Sequence, residues 1–301
     1  MYIGLDVGGT KITAGLADAR GEILQRETSK TAPNVLEQIS ALIQKFSAGQ
    51  KIAKIGVGLP GQLKNGVAIN MPNVPQLNGV DLLAELNKIY PAEYVIENDA
   101  NAAALAELKY GAGRNYKNFI YVTISTGVGG GIIIDGHLYT GANGTAGEFG
   151  HTVLLPDGPP CNCGNRGCWE ALGSGTALAK MAAAAVAENS GTRIKELAKD
   201  NRITAEIVVE AAKLEDQIAL ELLDKNGYYN ALGIANLVNT FDPEVIIIGG
   251  GVTFNGDYFF QPLFKSLKTF KLLNPEQSIK ILRAECGKDT GLLGAVALAL
   301  P

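Results

Sequence analysis

The 301-residue sequence lacks an excess of basic residues, a long apolar run and a basic leader. It carries 26 Lys and Arg against 30 Asp and Glu, a formal net charge of −4, so we expect neither nucleic acid nor an anionic membrane surface as a partner. No apolar stretch is long enough to span a bilayer, and the chain opens with a strand-like Met-Tyr-Ile-Gly-Leu-Asp,. We therefore expect a cytoplasmic protein in a reducing compartment.

Cysteine is scarce, but three of the four cysteines fall in one short window with one of the two histidines. Three thiolates and one imidazole are a complete tetrahedral ligand set for Zn²⁺, and four protein ligands leave no open position, so the metal would be structural. The predicted ligands are His151, Cys161, Cys163 and Cys168. A carboxylate stands at each end of this segment, Glu148 and Glu170, and we expect the metal to fix both carboxylates in space.

Other interpretations of these cysteines remain open. Disulfides are one, although Cys161 and Cys163 are too close to pair comfortably and nothing indicates secretion,. A nucleic-acid zinc finger is another, but its spacing differs and no basic cluster surrounds the segment. Scattered core cysteines are the third, and the distant Cys286 is expected to be such a small buried apolar residue,.

Two stretches repeat the pattern strand, glycine-rich turn, strand. In the first, Tyr2–Val7 is followed by Gly8-Gly9-Thr10-Lys11 and a strand over Ile12–Leu16. Such turns can direct N–H groups at a phosphate, with Lys11 adding charge, although an ordinary hairpin explains the same residues. The second runs from a strand over Phe119–Ser125 through Thr126, Gly127, Gly129 and Gly130 to a strand over Ile132–Ile134. No Gly-x-x-x-x-Gly-Lys-[Ser/Thr] string is present, which excludes a P-loop enzyme.

Two further glycine-bearing stretches end apolar strands. Ile55–Gly61 matches the dinucleotide fingerprint as a string, but Pro60 and the residues after it predict a hairpin rather than a helix,. The apolar strand Val245–Ile248 leads into Gly249-Gly250-Gly251, which suits close approach of an adenine or ribose, or forms a simple turn,. Asn73, between two prolines, can present its amide to a ligand or serve turn chemistry.

Asp99 stands where a strand over Tyr94–Glu97 meets a helix over Ala100–Tyr110,. One role for it is an N-cap. The other is a general base that accepts a hydroxyl proton while a phosphoryl group is transferred.

Helical periodicity or helix signals mark further segments. We predict helices over Leu36–Phe46, after Ser174 as an N-cap, over much of Ala205–Thr240, and over Thr290–Leu300.

The motifs Glu148-x-Gly-His151, Cys161-x-Cys163-Gly-x-x-Gly-Cys168-x-Glu170 and Glu97-Asn98-Asp99-Ala100-Asn101 resemble those of the ROK family of sugar kinases and repressors. The resemblance runs nearly end to end and places the chain among the actin-like and hexokinase-like ATPases. It implies an α/β fold of two ribonuclease-H-like domains, each a mixed sheet flanked by helices, with a cleft between them. The small domain would hold residues 1–115 and a final helix over about 288–301, and the large domain residues 116–287.

The resemblance also implies roles for individual residues. Asp99 would be the catalytic base of an ATP-dependent hexose kinase, with Mg²⁺ bridging the nucleotide phosphates near Asp6. The implied sugar ligands are Gly61, Asn73, Asn98, Asp99, Glu148, His151 and Glu170. The implied nucleotide ligands are Asp6, Gly8, Gly9, Thr10, Lys11, Thr126, Gly127, Gly129, Gly130, Gly249 and Gly250. A homodimer is the oligomeric state that the family suggests.

The identity of the sugar is less constrained. Retained Glu148 favours glucose, because N-acetylmannosamine kinases of the family often carry His there. Gln76-Leu77 replaces a Trp common in family glucokinases, and Ser125 stands where Gly is common. Alternatives are a kinase for N-acetylmannosamine, N-acetylglucosamine or fructose, a non-enzymatic zinc-stapled binding module, and a sugar-responsive repressor. Only five residues precede Asp6, so we expect no helix-turn-helix there.

Overall fold

The computed structural model describes residues 1–189, 191–199, 201–273 and 280–301. The chain divides into two compact units. The first unit holds Met1–Tyr121, Gly131–Gly147 and Ala284–Pro301, and the second holds Val122–Gly130 and Glu148–Arg283.

A five-stranded mixed sheet forms the centre of the first unit. Its strands are β1 (Tyr2–Val7), β2 (Lys11–Ala17), β3 (Ile23–Lys30), β4 (Lys54–Leu59) and β7 (Glu93–Asn98), in the order β3-β2-β1-β4-β7. β1 pairs antiparallel with β2 and parallel with β4, and β4 pairs parallel with β7. Because β1 and β4 are central and buried, they read as nearly continuous apolar runs,.

Helices pack against this sheet, and a small hairpin follows β4. The helices are α1 (Val35–Ser47), α2 (Leu82–Ile89), α3 (Asp99–Tyr110) and α10 (Thr290–Ala299), and the hairpin is β5 (Gln62–Lys64) with β6 (Val67–Asn70). A single apolar cluster joins the strands to α1 and α2, while Leu292 and Val296 of α10 pack beside Ala17. The strand β5 begins at Gln62, directly after Gly61, so the interpretation of Ile55–Gly61 as a hairpin entry is confirmed.

A second mixed sheet has the order β10-β9-β8-β11-β12. Its strands are β8 (Phe119–Ile124), β9 (Val128–Ile134), β10 (His137–Tyr139), β11 (Val245–Gly249) and β12 (Ile281–Arg283). β9 and β10 are antiparallel, whereas β11 and β12 are parallel. The predicted α/β class with two mixed sheets flanked by helices is therefore confirmed.

The helices of the second unit follow its Cys/His segment, which we define as residues 148–170. They are α4 (Trp169–Gly173), α5 (Gly175–Glu188), α6 (Arg193–Ala198), α7 (Ala205–Lys213), α8 (Gln217–Phe241) and α9 (Asp257–Leu267). Ser174 caps α5 by accepting the N–H of Ala177, as predicted. Asp216 caps the 25-residue α8 in the same way, through Ala219,. Within the described residues, no helix combines the length and apolarity needed to cross a bilayer.

Candidate functional site

The first glycine loop is a tight turn between β1 and β2. Its Gly8 N–H donates to the carbonyl oxygen of Lys11 at 2.9 Å, and the hydroxyl of Thr31 donates to the Gly8 carbonyl at 2.6 Å. Gly9, Thr10 and Lys11 at its tip are exposed. A tight, exposed turn with a cationic side chain is a suitable place for an anion such as a phosphate.

Asn73 lies against this loop. A Cβ atom added to Gly9 would stand 2.5 Å from the carbonyl oxygen of Asn73 and 3.0 Å from its Cβ, a separation that real side chains do not tolerate. Asn73 was predicted as a sugar ligand and the glycine turn as a phosphate loop. The two segments are thus neighbours within the first unit.

Asp6 is the penultimate residue of β1, two residues before Gly8 of the glycine turn. Burial raises the pKa of its carboxyl, and the nearby Lys11 ammonium opposes that rise,. Gly291, in the first turn of α10, lies against this carboxylate, and an added Cβ there would be 2.5 Å from Asp6 Cγ. The amino-terminal end of a helix favours a negative charge beside it.

The segment from Asn98 to Asn101 joins β7 to α3. Asn98 is the N-cap, because its Oδ1 accepts the N–H groups of Ala100 at 2.8 Å and Asn101 at 3.3 Å. Its Nδ2 also donates to the Gly61 carbonyl at 3.2 Å, which unites two predicted sugar ligands. Asp99 is the first helical residue and is exposed. The capping role considered for Asp99 therefore belongs to its neighbour.

Glu97 braces the same junction, a contact that we did not predict. One of its oxygens, Oε1, accepts the N–H of Asn98 at 2.7 Å and the Nδ2 of Asn101 at 2.9 Å. Asn101 is 2% exposed, and its Oδ1 has no hydrogen-bond partner among the described residues. The spacing of four residues between Glu97 and Asn101 is the only sequence signal for this contact.

The second glycine loop is shorter than we predicted. Ser125 N–H donates to the Gly127 carbonyl at 2.9 Å, and β9 begins at Val128, so Gly129 and Gly130 lie in a strand rather than in the turn. β9 thus starts four residues before the expected Ile132, and β8 is one of its two neighbours in the sheet. Glycines inside a strand usually mark close approach of a backbone or a ligand.

The third glycine stretch meets the second loop within the second unit. Gly250, at φ +91°, adopts a backbone conformation that favours glycine, and an added Cβ would stand 2.7 Å from the backbone nitrogen of Ile124,. An added Cβ on Gly251 would be 3.3 Å from Ser125 Oγ. A pocket of about 270 Å³ opens here, and its lining includes Ser125, Thr126, Gly175, Thr176, Arg202 and Gly251.

The four predicted metal ligands converge in the second unit. Their ligand atoms all lie within 4.8 Å of one another. Cys161 Sγ is 3.6 Å from His151 Nδ1, and Cys163 Sγ is 3.6 Å from Cys168 Sγ. Ligands at the usual Zn–N and Zn–S distances around a tetrahedral centre are about 3.5–3.8 Å apart. The donor set and its spacing therefore fit a structural zinc ion.

All four cysteines are free thiols, and none of them forms a disulfide. Cys286 is half-buried rather than fully buried as we expected. Its backbone N–H donates to Glu107 at 2.9 Å, and burial followed by the Glu107 charge raises the pKa of its thiol. It is remote in sequence from the ligand cluster and belongs to the first unit.

His151 links the cluster to Glu148. Its Nδ1 faces the Cys161 sulfur, while its Nε2 lies 3.9 Å from Glu148 Oε2. A metal-binding imidazole commonly directs its second nitrogen at a carboxylate, which fixes its orientation. Both groups remain partly exposed, with 34% and 39% of their side-chain surfaces accessible, so a ligand can reach them.

Trp169 anchors the other end of the Cys/His segment in the core. It is fully buried, and its Nε1 donates to Asn230 Oδ1 of α8 at 2.8 Å. The ring occupies the space left by Gly233, whose added Cβ would be 2.5 Å from the Cε2 atom of the indole. The anchored ring thereby fixes the backbone between the neighbouring Cys168 and Glu170.

Glu170 reaches the second glycine loop. Its Oε2 accepts the N–H of Val128 at 3.1 Å and lies against Gly127. The sequence-based expectation gave this carboxylate to the sugar, and the contact with the loop leaves its second oxygen, Oε1, for that purpose.

Comparison with known proteins gives consistent matches along the whole chain. It is 34% identical to a glucokinase of Thermotoga maritima over 98% of this chain and 96% of that protein. It is 35% identical to a glucokinase of Halalkalibacterium halodurans over 97% and 93%. An Escherichia coli N-acetylmannosamine kinase is 32% identical over 99% and 97%.

Solved structures of similar chains share the fold. The ROK hexokinase of Thermus thermophilus superposes with a TM-score of 0.87 at 33% identity, over 99% of this chain and 97% of that one. A ROK family glucokinase of Streptomyces griseus, solved in complex with glucose and AMPPNP, gives 0.81 at 34% identity over 99% and 98%. The family model described as ROK matches residues 2–301. The chain therefore belongs to the ROK family and has its actin-like and hexokinase-like ATPase fold.

Proposed function

We propose that this protein is an ATP-dependent hexose kinase that converts glucose to glucose 6-phosphate. The observation that carries the proposal is the match with glucokinases, at 34–35% identity over 97–98% of the chain. The S. griseus relative was solved with glucose and a non-hydrolysable ATP analogue. The glycine loops, the Asp99 segment and the Cys/His segment supply the residue types that this reaction needs.

ATP is the proposed phosphoryl donor. Thr10, Lys11 and the N–H groups of the two glycine loops would hold its phosphates, and the pocket bordered by Gly251 would take its nucleoside. Mg²⁺ would neutralise the phosphates near Asp6, whose burial beside Lys11 supports a place at a charged centre,. Catalysis in such transfers is mostly positioning and electrostatic stabilisation.

Asp99 is the proposed general base, which takes the proton of the primary hydroxyl as that oxygen attacks the terminal phosphorus in line. Its exposure and its fixed place after the Asn98 cap support this role. Asn98 and Gly61, already joined by a hydrogen bond, would orient the sugar. The remaining proposed sugar ligands are Asn73, Glu148, His151 and Glu170. Holding the hydroxyl in line accounts for a large part of such rate enhancements.

Zinc is the proposed resident metal, held by His151 and the three nearby cysteines. When bound, it would supply no chemistry beyond fixing the backbone of the Cys/His segment, since its four protein ligands complete the coordination sphere. The exposed edge of His151 then remains available to a sugar hydroxyl.

The domain division at residues 115 and 287, a cytoplasmic location and a homodimer also belong to this proposal. Neither nucleic acid nor a membrane is expected as a partner, in keeping with the net charge of −4,. Sedimentation of the purified protein at several concentrations tests the dimer.

Replacing the base tests the mechanism directly. We expect Asp99→Asn to keep glucose affinity and to lower kcat by about two to four orders of magnitude, the usual contribution of a general base. Asp224→Asn is the matched control, because it removes only an exposed charge paired with Lys265. Full turnover in the Asp99→Asn protein would rule out the base assignment.

The identity of the sugar needs a substrate panel. Coupled ADP release with glucose, fructose, N-acetylglucosamine and N-acetylmannosamine should give the highest kcat/KM with glucose. A higher value with N-acetylmannosamine would transfer the proposal to that sugar, in line with the 32% identical kinase. No ADP release with any of the four would favour a binding or regulatory role.

A further inference from the structure

The Cys/His segment touches the second glycine loop from two sides. From one end, Glu170 accepts the N–H of Val128 at 3.1 Å. From the other end, Gly150 packs against the carbonyl of the same residue, so that an added Cβ would be 2.8 Å from the Val128 carbonyl carbon. Val128 is the first residue after the turn formed by Ser125 and Gly127. Both backbone polar groups of this one residue at the loop exit thus face the segment.

Both contacts are adjacent in sequence to metal ligands. Gly150 directly precedes His151, and Glu170 follows Cys168 by two residues. We call the two ends of the segment, residues 148–152 and 168–170, its arms. The arms also join each other, because the Trp169 N–H donates to the Thr152 carbonyl at 2.9 Å. The rings of Phe149 and Trp169, with centroids 5.9 Å apart, also connect the arms. The four ligand side chains, whose ligand atoms lie within 4.8 Å of one another, provide a further link between the arms when a metal is bound.

Other restraints act at the entry to the loop, where the Ser125 carbonyl accepts the Gly175 N–H at 2.8 Å. Thr126 at its tip is exposed, and Gly127 has no side chain to pack. An added Cβ on Gly127 would lie 3.2 Å from Glu170 Cδ, so the carboxylate itself forms one wall of the turn. Separation of the arms would remove a hydrogen-bond acceptor from Val128 and a packing surface from its carbonyl.

We propose that the metal centre sets the conformation of the second glycine loop, with Glu170 as its positioning residue, and thereby sets the affinity for the phosphoryl donor. The inference rests on the proposed function only in taking a nucleoside triphosphate as the ligand of that loop. The metal acts on donor binding through Gly150 and Glu170, in addition to any effect on the sugar.

Amide hydrogen exchange tests the conformational part without turnover. The peptide spanning residues 125–131 is compared in zinc-loaded protein and in protein stripped with a chelator. We expect the Val128 amide to exchange at least about tenfold faster in the stripped protein, as loss of one hydrogen bond allows. Equal exchange in the two forms would overturn the proposal.

Calorimetric titration with AMPPNP in the absence of sugar tests the donor part. We expect the Kd to rise about tenfold on zinc removal, the equivalent of one hydrogen bond. Zinc-loaded Gly150→Ala should show a similar rise, because its methyl group displaces Val128 while all four metal ligands remain. Gly191→Ala is the matched control, since nothing lies within 4 Å of its added Cβ.

Zinc content and far-UV circular dichroism confirm that each variant is folded and loaded. AMPPNP affinity that is unchanged both on stripping and in Gly150→Ala would overturn the coupling and leave the kinase proposal intact. Absence of AMPPNP binding to loaded wild type, with the zinc-dependent exchange still present, would overturn the nucleotide assignment and the donor part of this inference.

Discussion

Replacement of Asn230 by Ala provides a sharp test of how the Cys/His segment is anchored. Asn230 is fully buried in α8. Its Oδ1 accepts Trp169 Nε1 at 2.8 Å, and its Nδ2 donates to the Gly173 carbonyl at 3.0 Å and to Asn226 Oδ1 at 3.0 Å. One amide therefore satisfies three buried polar groups, all of them within the second unit.

The expected cost follows from those contacts. The substitution removes this partner from three buried groups, the indole N–H of Trp169, the carbonyl of Gly173 and Asn226 Oδ1. A buried group left unsatisfied costs about 1–3 kcal/mol. Loss of the buried amide group also opens a cavity, which adds to the cost in a packed interior. The greater helix propensity of Ala relative to Asn offsets less than about 1 kcal/mol of this cost. We therefore expect Asn230→Ala to reduce the free energy of unfolding by about 3–5 kcal/mol.

Urea unfolding followed by tryptophan fluorescence measures this change, because Trp169 is the only tryptophan in the chain. Asn236→Ala is the matched control, since Asn236 is exposed on the same helix. An exposed site of this kind should change stability by less than about 0.5 kcal/mol. If Asn230→Ala costs no more than Asn236→Ala, the indole–amide contact does not anchor the segment and the reasoning fails.

Two further predictions concern the third glycine stretch and the cap of α8. Gly250→Ala should raise the KM for ATP at least about tenfold, because a Cβ there would clash with the backbone of Ile124,. Gly256→Ala is the control, since Gly256 also has a positive φ but has open space around its added Cβ, and it should leave that KM unchanged. Equal effects of the two substitutions would contradict the steric argument. Burial alone raises the pKa of Asp216, but N–H donors led by Ala219 outweigh it and the pKa lies below its usual 3.8. The contribution of the ionised Asp216 to the stability of the folded protein is therefore complete above pH 3.8, and it is lost as the pH falls through the lower pKa of the folded state,. Between about pH 5 and 2.5, the urea midpoint should therefore fall less steeply with pH in Asp216→Asn than in wild type. Identical slopes in the two proteins would exclude this cap as an acid-sensitive element.

Local patterns in the sequence were sufficient for most elements of the fold. The helix predicted over Thr290–Leu300 is α10, Thr290–Ala299, and the helix predicted over Leu36–Phe46 is α1, Val35–Ser47. The Cys/His cluster could also be predicted from the sequence, because all its ligands lie within one short window of residues. Each of these features depends on residues that are close in sequence, so their spacing carries the information.

Features that depend on distant residues or on a one-residue boundary were not predictable. Asn98 and Asp99 are both good capping residues, and only the backbone decides that the helix begins at Asp99,. The contact of Glu170 with Val128 joins residues 42 positions apart. No periodicity encodes such a pairing, which arises only when the Cys/His segment folds back on β9.

The indole of Trp169 and the bare backbone at Gly233 occupy complementary space. Neither position can change alone: a methyl group at 233 would collide with the ring, and a smaller residue at 169 would leave a void beside α8. Among related chains, these two sites should therefore vary in concert. A homologue with a side chain at the position of Gly233 should also have replaced the tryptophan, and must secure its metal ligands by some other means.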